Sequence, residues 1–231
     1  LSQHAKVSFF KPVAIEAAFG PNEQLPPLEI DLKGGRKMHI RGRIDRIDSA
    51  KVGGKSYLRV IDYKSSSRDL DLNEVYHGIS LQLLTYLDVA VENANIWLDD
   101  DVEAAGVLYV HVHNPILKVE EELDDSTLEM ERMKKYKMKG LLTENAESLI
   151  AMDEDLELGG SSKIVPVYLK KDGTASPSLS RVVHPADMNQ IKQYVRKKHK
   201  AAGDGILSGE TGIYPYRLKG KKACDFCSFK S

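Results

Sequence analysis

Residues Gly42–Lys64 read GRIDRIDSAKVGGKSYLRVIDYK, two alternating runs on either side of Gly53-Gly54. Alternation at period two sends successive side chains to opposite faces of a strand, and paired glycines supply the positive φ of a tight turn. The stretch predicts an antiparallel pair, one strand over Lys37–Asp48 and its return over Tyr57–Lys64. On the returning strand Leu58, Val60, Asp62 and Lys64 share one face. Two charged residues thus close an otherwise apolar row, and the turn brings Asp45 on the preceding strand alongside them.

Working outward, Lys11–Phe19 reads as a first strand, ended by Gly20-Pro21 and a loop reaching Pro26-Pro27. Leu28–Leu32 alternates and turns at Gly34-Gly35. Downstream, Asp71 or Asn73 can cap a helix with Glu74 in its first turn. That helix runs to about Val91, and its ISLQLLTYLDVAV face, apolar nearly all round, calls for burial against a sheet. Gly106–His113 (GVLYVHVH) is a buried strand stopped by Asn114-Pro115, and the helix before it implies a crossover connection. Residues 120–157 read as two charged helices broken near Gly140, followed by a joint at Gly159–Ser162. A further strand over Ile164–Leu169, a turn at Lys171-Asp172-Gly173, and a helix from Pro185 to about Leu207 precede an irregular tail. The fold class is α/β, a mixed β-sheet core flanked by helices, with a helical insertion over about residues 116–160.

The chain has 231 residues, 42% hydrophobic and 29% charged, enough for one substantial core and a single domain over 1–231. It contains no apolar run of the roughly 20 residues a membrane helix needs. Its first residues lack the order of a secretory signal, which makes cytoplasmic the default. The net charge of −1 hides an asymmetry, because Arg181–Lys222 holds ten Lys/Arg against three Asp/Glu. That basic region can touch phosphates; its plainer reading is a solvated helix face at Arg196–Lys200. Asp99–Asp101 and Glu120–Glu122 read as solvated faces, and His111 and His113 as strand or interface residues. The only cysteines, Cys224 and Cys227, exclude a disulfide framework and leave a zinc half-site or two incidental thiols open.

A carboxylate from each of two neighbouring strands can chelate one hard cation, and Mg²⁺ favours one or two carboxylates beside water and phosphate oxygens. Such an ion polarises a phosphoryl oxygen and acidifies water. Lys64 could orient that water or neutralise charge developing on the phosphate. The pattern Gly42-Arg43-Ile44-Asp45, Asp62-Tyr63-Lys64, Gln82-Leu83-Leu84-Thr85-Tyr86 resembles the RecB-type branch of the PD-(D/E)XK nucleases. The resemblance implies a restriction-endonuclease-like fold, with Asp45, Asp62 and the Tyr63 backbone carbonyl as ligands of Mg²⁺ or Mn²⁺. It implies that Lys64 is the catalytic lysine and that Gln82 and Tyr86, four apart on one helix face, line the site or contact DNA. Glu16 lies on a strand similar to an acidic strand that precedes the motif in this family.

PPLEIDL, GRIDRID, YLRVIDYKSS, LQLLTYLDVA, GVLYVHVHNP and the terminal CDFCSFKS are further similar to the B-type subunit family of bacterial AddAB-type helicase–nucleases. That likeness implies a deoxyribonuclease of exonuclease type, which cuts single-stranded DNA unwound from duplex ends for recombinational repair. Its partner would be an A-type helicase–nuclease subunit. The chain carries no Walker-type nucleotide loop, so ATP hydrolysis is expected elsewhere. The family adds a helix-borne histidine or acidic ligand upstream, for which His4 is no convincing substitute. It also carries a [4Fe-4S] cluster on one upstream cysteine and a C-x₂-C-x₅-C group. Cys224 and Cys227 match the first two of that group, so residues 208–231 form a partial iron–sulfur segment, not expected to hold the cluster by itself. The alternative is a nuclease-like module that guides DNA or assembles without cutting.

Overall fold

The computed structural model describes residues 6–112, 124–218 and 220–228. His4, His113 and Glu120–Glu122 lie outside these residues. Strand β1 covers Lys11–Phe19, β2 Leu28–Asp31, β3 Lys37–Ile40, β4 Gly42–Val52 and β5 Lys55–Lys64. Helices α1 (Leu72–Tyr76) and α2 (Gln82–Glu92) lead to β6 (Val102–His111). Then come α3 (Asp125–Tyr136), β7 (Lys139–Thr143), α4 (Ala146–Met152), β8 (Val182–Val183) and the long α5 (Pro185–Leu207). Short β9 (Arg217–Leu218) and β10 (Lys221–Lys222) form a hairpin before the cysteines.

Six strands form one sheet in the order β1-β4-β5-β6-β7-β8, with β5–β6 and β7–β8 parallel and the other neighbours antiparallel. This is the mixed sheet expected, and α2 is the crossover that joins the parallel pair. One apolar layer, including Ile44, Ile47, Leu58 and Val60, packs against α2 residues such as Leu83 and Leu87 and α5 residues Met188 and Val195. The opposite layer packs Tyr57, Ile61, Leu108 and Leu142 against Leu149 and Met152 of α4 and the Ile164–Leu169 segment. Helix α2 is buried on most of its circumference, in line with its unbroken apolar sequence.

Four boundaries differ from expectation. The strand over Lys37–Asp48 is two strands, the first pairing with β2 and the second running on to Val52. The single helix before Val91 is broken at Gly78, whose φ of 77° is left-handed, giving α1 and α2. The reading of 120–157 as helices is corrected by β7, a core strand within it, so the segment at about 116–160 is no purely helical insertion. Gly140 accordingly breaks no helix; it is a point of close approach between strands. A Cβ there would stand 2.0 Å from the Val107 carbonyl oxygen on β6. Ile164–Leu169 is buried yet makes only isolated bridges, because Pro166 in its middle has no N–H to give a ladder.

Candidate active site

The hairpin ladder between β4 and β5 has its last rung at Arg46↔Ile61. Asp45 and Asp62 stand one step beyond it, where regular pairing gives way to side-chain contacts. The Asp45 carboxylate accepts a 2.8 Å hydrogen bond from the backbone N–H of Tyr63. That bond ties the tip of β4 to the residue between Asp62 and Lys64. Ile44 and Ile47 are both fully buried in one core layer although three apart, so strand alternation is interrupted between them, at Asp45. Opposite on β1, Ala14 and Ala17 face the same layer at the same spacing. Between them Glu16 adopts φ of 52°, a left-handed conformation unusual for a residue with a Cβ. Glu16 itself is exposed and lies 3.7 Å from Arg43.

Asp62 is 2% exposed. Its Oδ2 lies 2.6 Å from the Lys64 ammonium, yet no well-directed hydrogen bond reaches that buried oxygen. Burial pushes the Asp62 pKa up, the Lys64 ammonium opposes this, and the Asp45 charge adds to the rise. A buried carboxylate held this way is an electrostatic debt that a cation can settle. The Lys64 ammonium also lies 5.8 Å from the centroid of the Tyr109 ring, on β6.

Helix α2 adds the second wall. Gln82 donates from Nε2 to the Tyr86 hydroxyl at 2.9 Å, as their spacing of four allows. Burial raises the Tyr86 pKa; the Gln82 hydrogen bond opposes the rise, and the Asp62 and Asp45 charges augment it, which sets Tyr86 within their field. Gly42 has a reason here too: a Cβ on it would meet the Phe19 ring at 2.8 Å and Tyr86 at 3.3 Å. The site and α2 can approach only because position 42 lacks a side chain. Asp45, Asp62, Lys64, Gln82 and Tyr86 are thus brought to one end of the sheet. Cys224 and Cys227 are partly exposed thiols around the short helical turn Ala223–Phe226.

One buried network has no counterpart in the sequence reading. Asp48, fully buried, accepts from Arg59 Nε and Nη2 at 3.0 and 2.9 Å and from Arg46 Nε at 2.5 Å. Arg46 also donates to the Tyr63 hydroxyl at 3.4 Å, and Arg59 stacks over the Phe10 ring at 4.6 Å. The network lies beneath the Asp62–Lys64 strand end, on the sheet's other face. The available signal is Arg46 and Asp48 two apart on a strand whose return, at Arg59, carries a third charge.

Among the described residues no three His, Cys, Asp or Glu side chains converge on one point suited to a metal. Carboxylate oxygens such as those of Asp45 and Asp62 are nevertheless the donors a hard cation accepts, and the buried Asp62 carboxylate fits such an ion.

The chain belongs to the PD-(D/E)XK nuclease superfamily, whose profile matches residues 1–231. It is similar to proteins named as the B-type subunit of an ATP-dependent helicase/deoxyribonuclease. The one from Lysinibacillus sphaericus is 65% identical over 99% of this chain, and that from Listeria innocua 44% identical over 100%. A third, from Bacillus thuringiensis, is 46% identical over 100% of the chain. The chain spans 20% of the length of each of these relatives.

Proposed function

We propose that this chain is a divalent-metal-dependent deoxyribonuclease domain, exonuclease in type, that cuts single-stranded DNA unwound from broken duplex ends for recombinational repair. The observation that carries the reading is Asp62, a buried carboxylate that meets the Lys64 ammonium at 2.6 Å and lies within the field of the Asp45 charge. Asp45, Asp62 and the Tyr63 carbonyl would hold Mg²⁺ or Mn²⁺. Such an ion, when bound, supplies charge that polarises the phosphoryl group and acidifies the attacking water. With Asp62 so engaged, Lys64 is released to stabilise charge on the phosphate or orient the nucleophile. Gln82 and Tyr86 keep the strand seated against the site.

The names of the relatives, each one component of a helicase/deoxyribonuclease, support an A-type helicase–nuclease partner that feeds the strand. No described helix is long and apolar enough to cross a membrane. Within the longer protein, Cys224 and Cys227 would supply two of the four thiolates of a [4Fe-4S] cluster.

The test is incubation of the chain with single-stranded DNA in Mg²⁺, Mn²⁺ or chelator, beside Asp62→Ala and Lys64→Ala variants. Cutting is expected with metal only, and each variant should lose at least about a hundredfold in rate, the scale on which one positioned electrostatic group acts. Equal cutting by parent and variants would overturn the assignment.

A further inference from the structure

Helix α1 lies against α5 through an aromatic pair that the cutting site does not use. The Tyr76 and Tyr194 rings are 5.8 Å apart and 6° from parallel, and the Tyr194 hydroxyl donates to the Tyr76 carbonyl at 2.8 Å. The Lys198 ammonium sits 5.5 Å from one ring centroid and 5.3 Å from the other. His77 meets Tyr76 edge-on at 5.1 Å. Buried aromatic clusters of this form serve packing, but Tyr76 is 62% exposed. Beside it, Leu72, Val75, Ile191 and Tyr194 line an open hollow of about 400 Å³, with Asp187 at its edge.

The charges of α5 fall into two groups. Lys192 and Arg196 pair with Asp88 of α2, and Arg196 also reaches Glu92. Lys200 contacts Asp204 and the Asp31 carbonyl. Lys197 and Lys198 form no ion pair with any described residue, although Lys197 is exposed and Lys198 half-buried. An unmatched cation, Lys198, therefore sits beside an exposed ring. A flat π-face for a base and a neighbouring ammonium for its phosphate are the two parts of a single-strand binding surface, which needs no sequence preference. Only about six positions separate Tyr76 from Gln82, a reach of at most about 22 Å.

We infer that Tyr76, with Tyr194 behind it and Lys198 alongside, is a stacking platform that holds single-stranded DNA next to the cutting site. The inference rests on the nuclease reading for its substrate but not for its test.

The experiment measures binding of fluorescein-labelled oligo(dT), and of an abasic oligomer of equal length, by fluorescence polarisation in chelator, where no cutting intrudes. Tyr76→Ala should weaken oligo(dT) binding by about tenfold, the loss of one base stack, and leave the abasic oligomer unaffected. Tyr76→Trp, which restores a π-face, should recover the affinity. Lys198→Gln should flatten the plot of log affinity against log salt by about 0.7, one phosphate contact to a single strand. The platform is overturned if Tyr76→Ala binds oligo(dT) as the parent does, or if the Ala and Trp variants lose affinity alike. It is overturned also if the parent fails to bind oligo(dT). A parent that binds through Tyr76 but never cuts in Mg²⁺ would sink the catalytic reading and leave the platform standing.

Discussion

Asp62 is asked to hold a negative charge in a setting that resists it, and the sign of that conflict can be measured. Because burial raises its folded-state pKa above the ordinary carboxylate value, the folded chain binds this proton more tightly than the unfolded chain. The stability so contributed is full below the ordinary carboxylate pKa and is lost as pH rises through the raised one. Asp62→Asn removes that loss, so without metal the variant should gain in melting temperature relative to the parent as pH climbs from acid to neutral. With Mg²⁺ the order should reverse. A ligand at a hundred times its Kd stabilises the folded state by about 2.7 kcal/mol, and only the parent has the carboxylate to receive it. Parallel melting curves with pH, or equal stabilisation of both proteins by Mg²⁺, would refute this account of Asp62.

Among the elements, β4 is where the sheet and the helix are fitted to one another. Gly42 lets Phe19 and Tyr86 meet edge-on at 5.8 Å above it. Gly42→Ala should overpack this contact and cost about 1–3 kcal/mol, read as a shift in urea midpoint. Because Tyr86 is among the groups displaced, cutting should fall further than the stability loss alone explains. The hairpin, the crossover helix and α5 can be read from sequence because each has a strong period and clear ends: Gly53-Gly54, the apolar α2 run, Pro185. The placement of Asp45, Asp62 and Lys64 at one strand end is legible for the same reason, since they ride on that hairpin at fixed spacing, whereas Gln82 and Tyr86 are singled out only by the family resemblance. Strand β7 is not, because five residues beginning Lys139-Gly140 carry too short a pattern, and their strand state is decided by pairing with β6. The conformation of Glu16 is equally hidden, as nothing local announces a left-handed residue within an edge strand. The Asp48–Arg59 contact joins residues eleven apart across a turn, so it emerges only once the register is known.

For the molecule as a whole, the sheet separates two apolar layers, and each face carries a buried acid with two cationic partners. On the face of Phe10, Asp48 is fully buried and Arg59 is 2% exposed, so neither can turn to water. On the face of α5, Asp88 is buried, but the Arg196 side chain is 32% exposed and can be solvated if released. Removing one member of a buried pair leaves an uncompensated charge, which costs about 3–5 kcal/mol. Losing a charge-assisted hydrogen bond with a partner that reaches water costs about 1.5–3 kcal/mol. Asp48→Ala should therefore lower the urea midpoint clearly more than Asp88→Ala, and against a typical total stability of about 5–15 kcal/mol it threatens folding outright. Asp48→Asn keeps an acceptor for Arg59 and should recover part of the loss. If Asp88→Ala proved the more damaging, the clamp between α2 and α5 would be the element that holds the fold together, and the network beneath the site would be secondary to it.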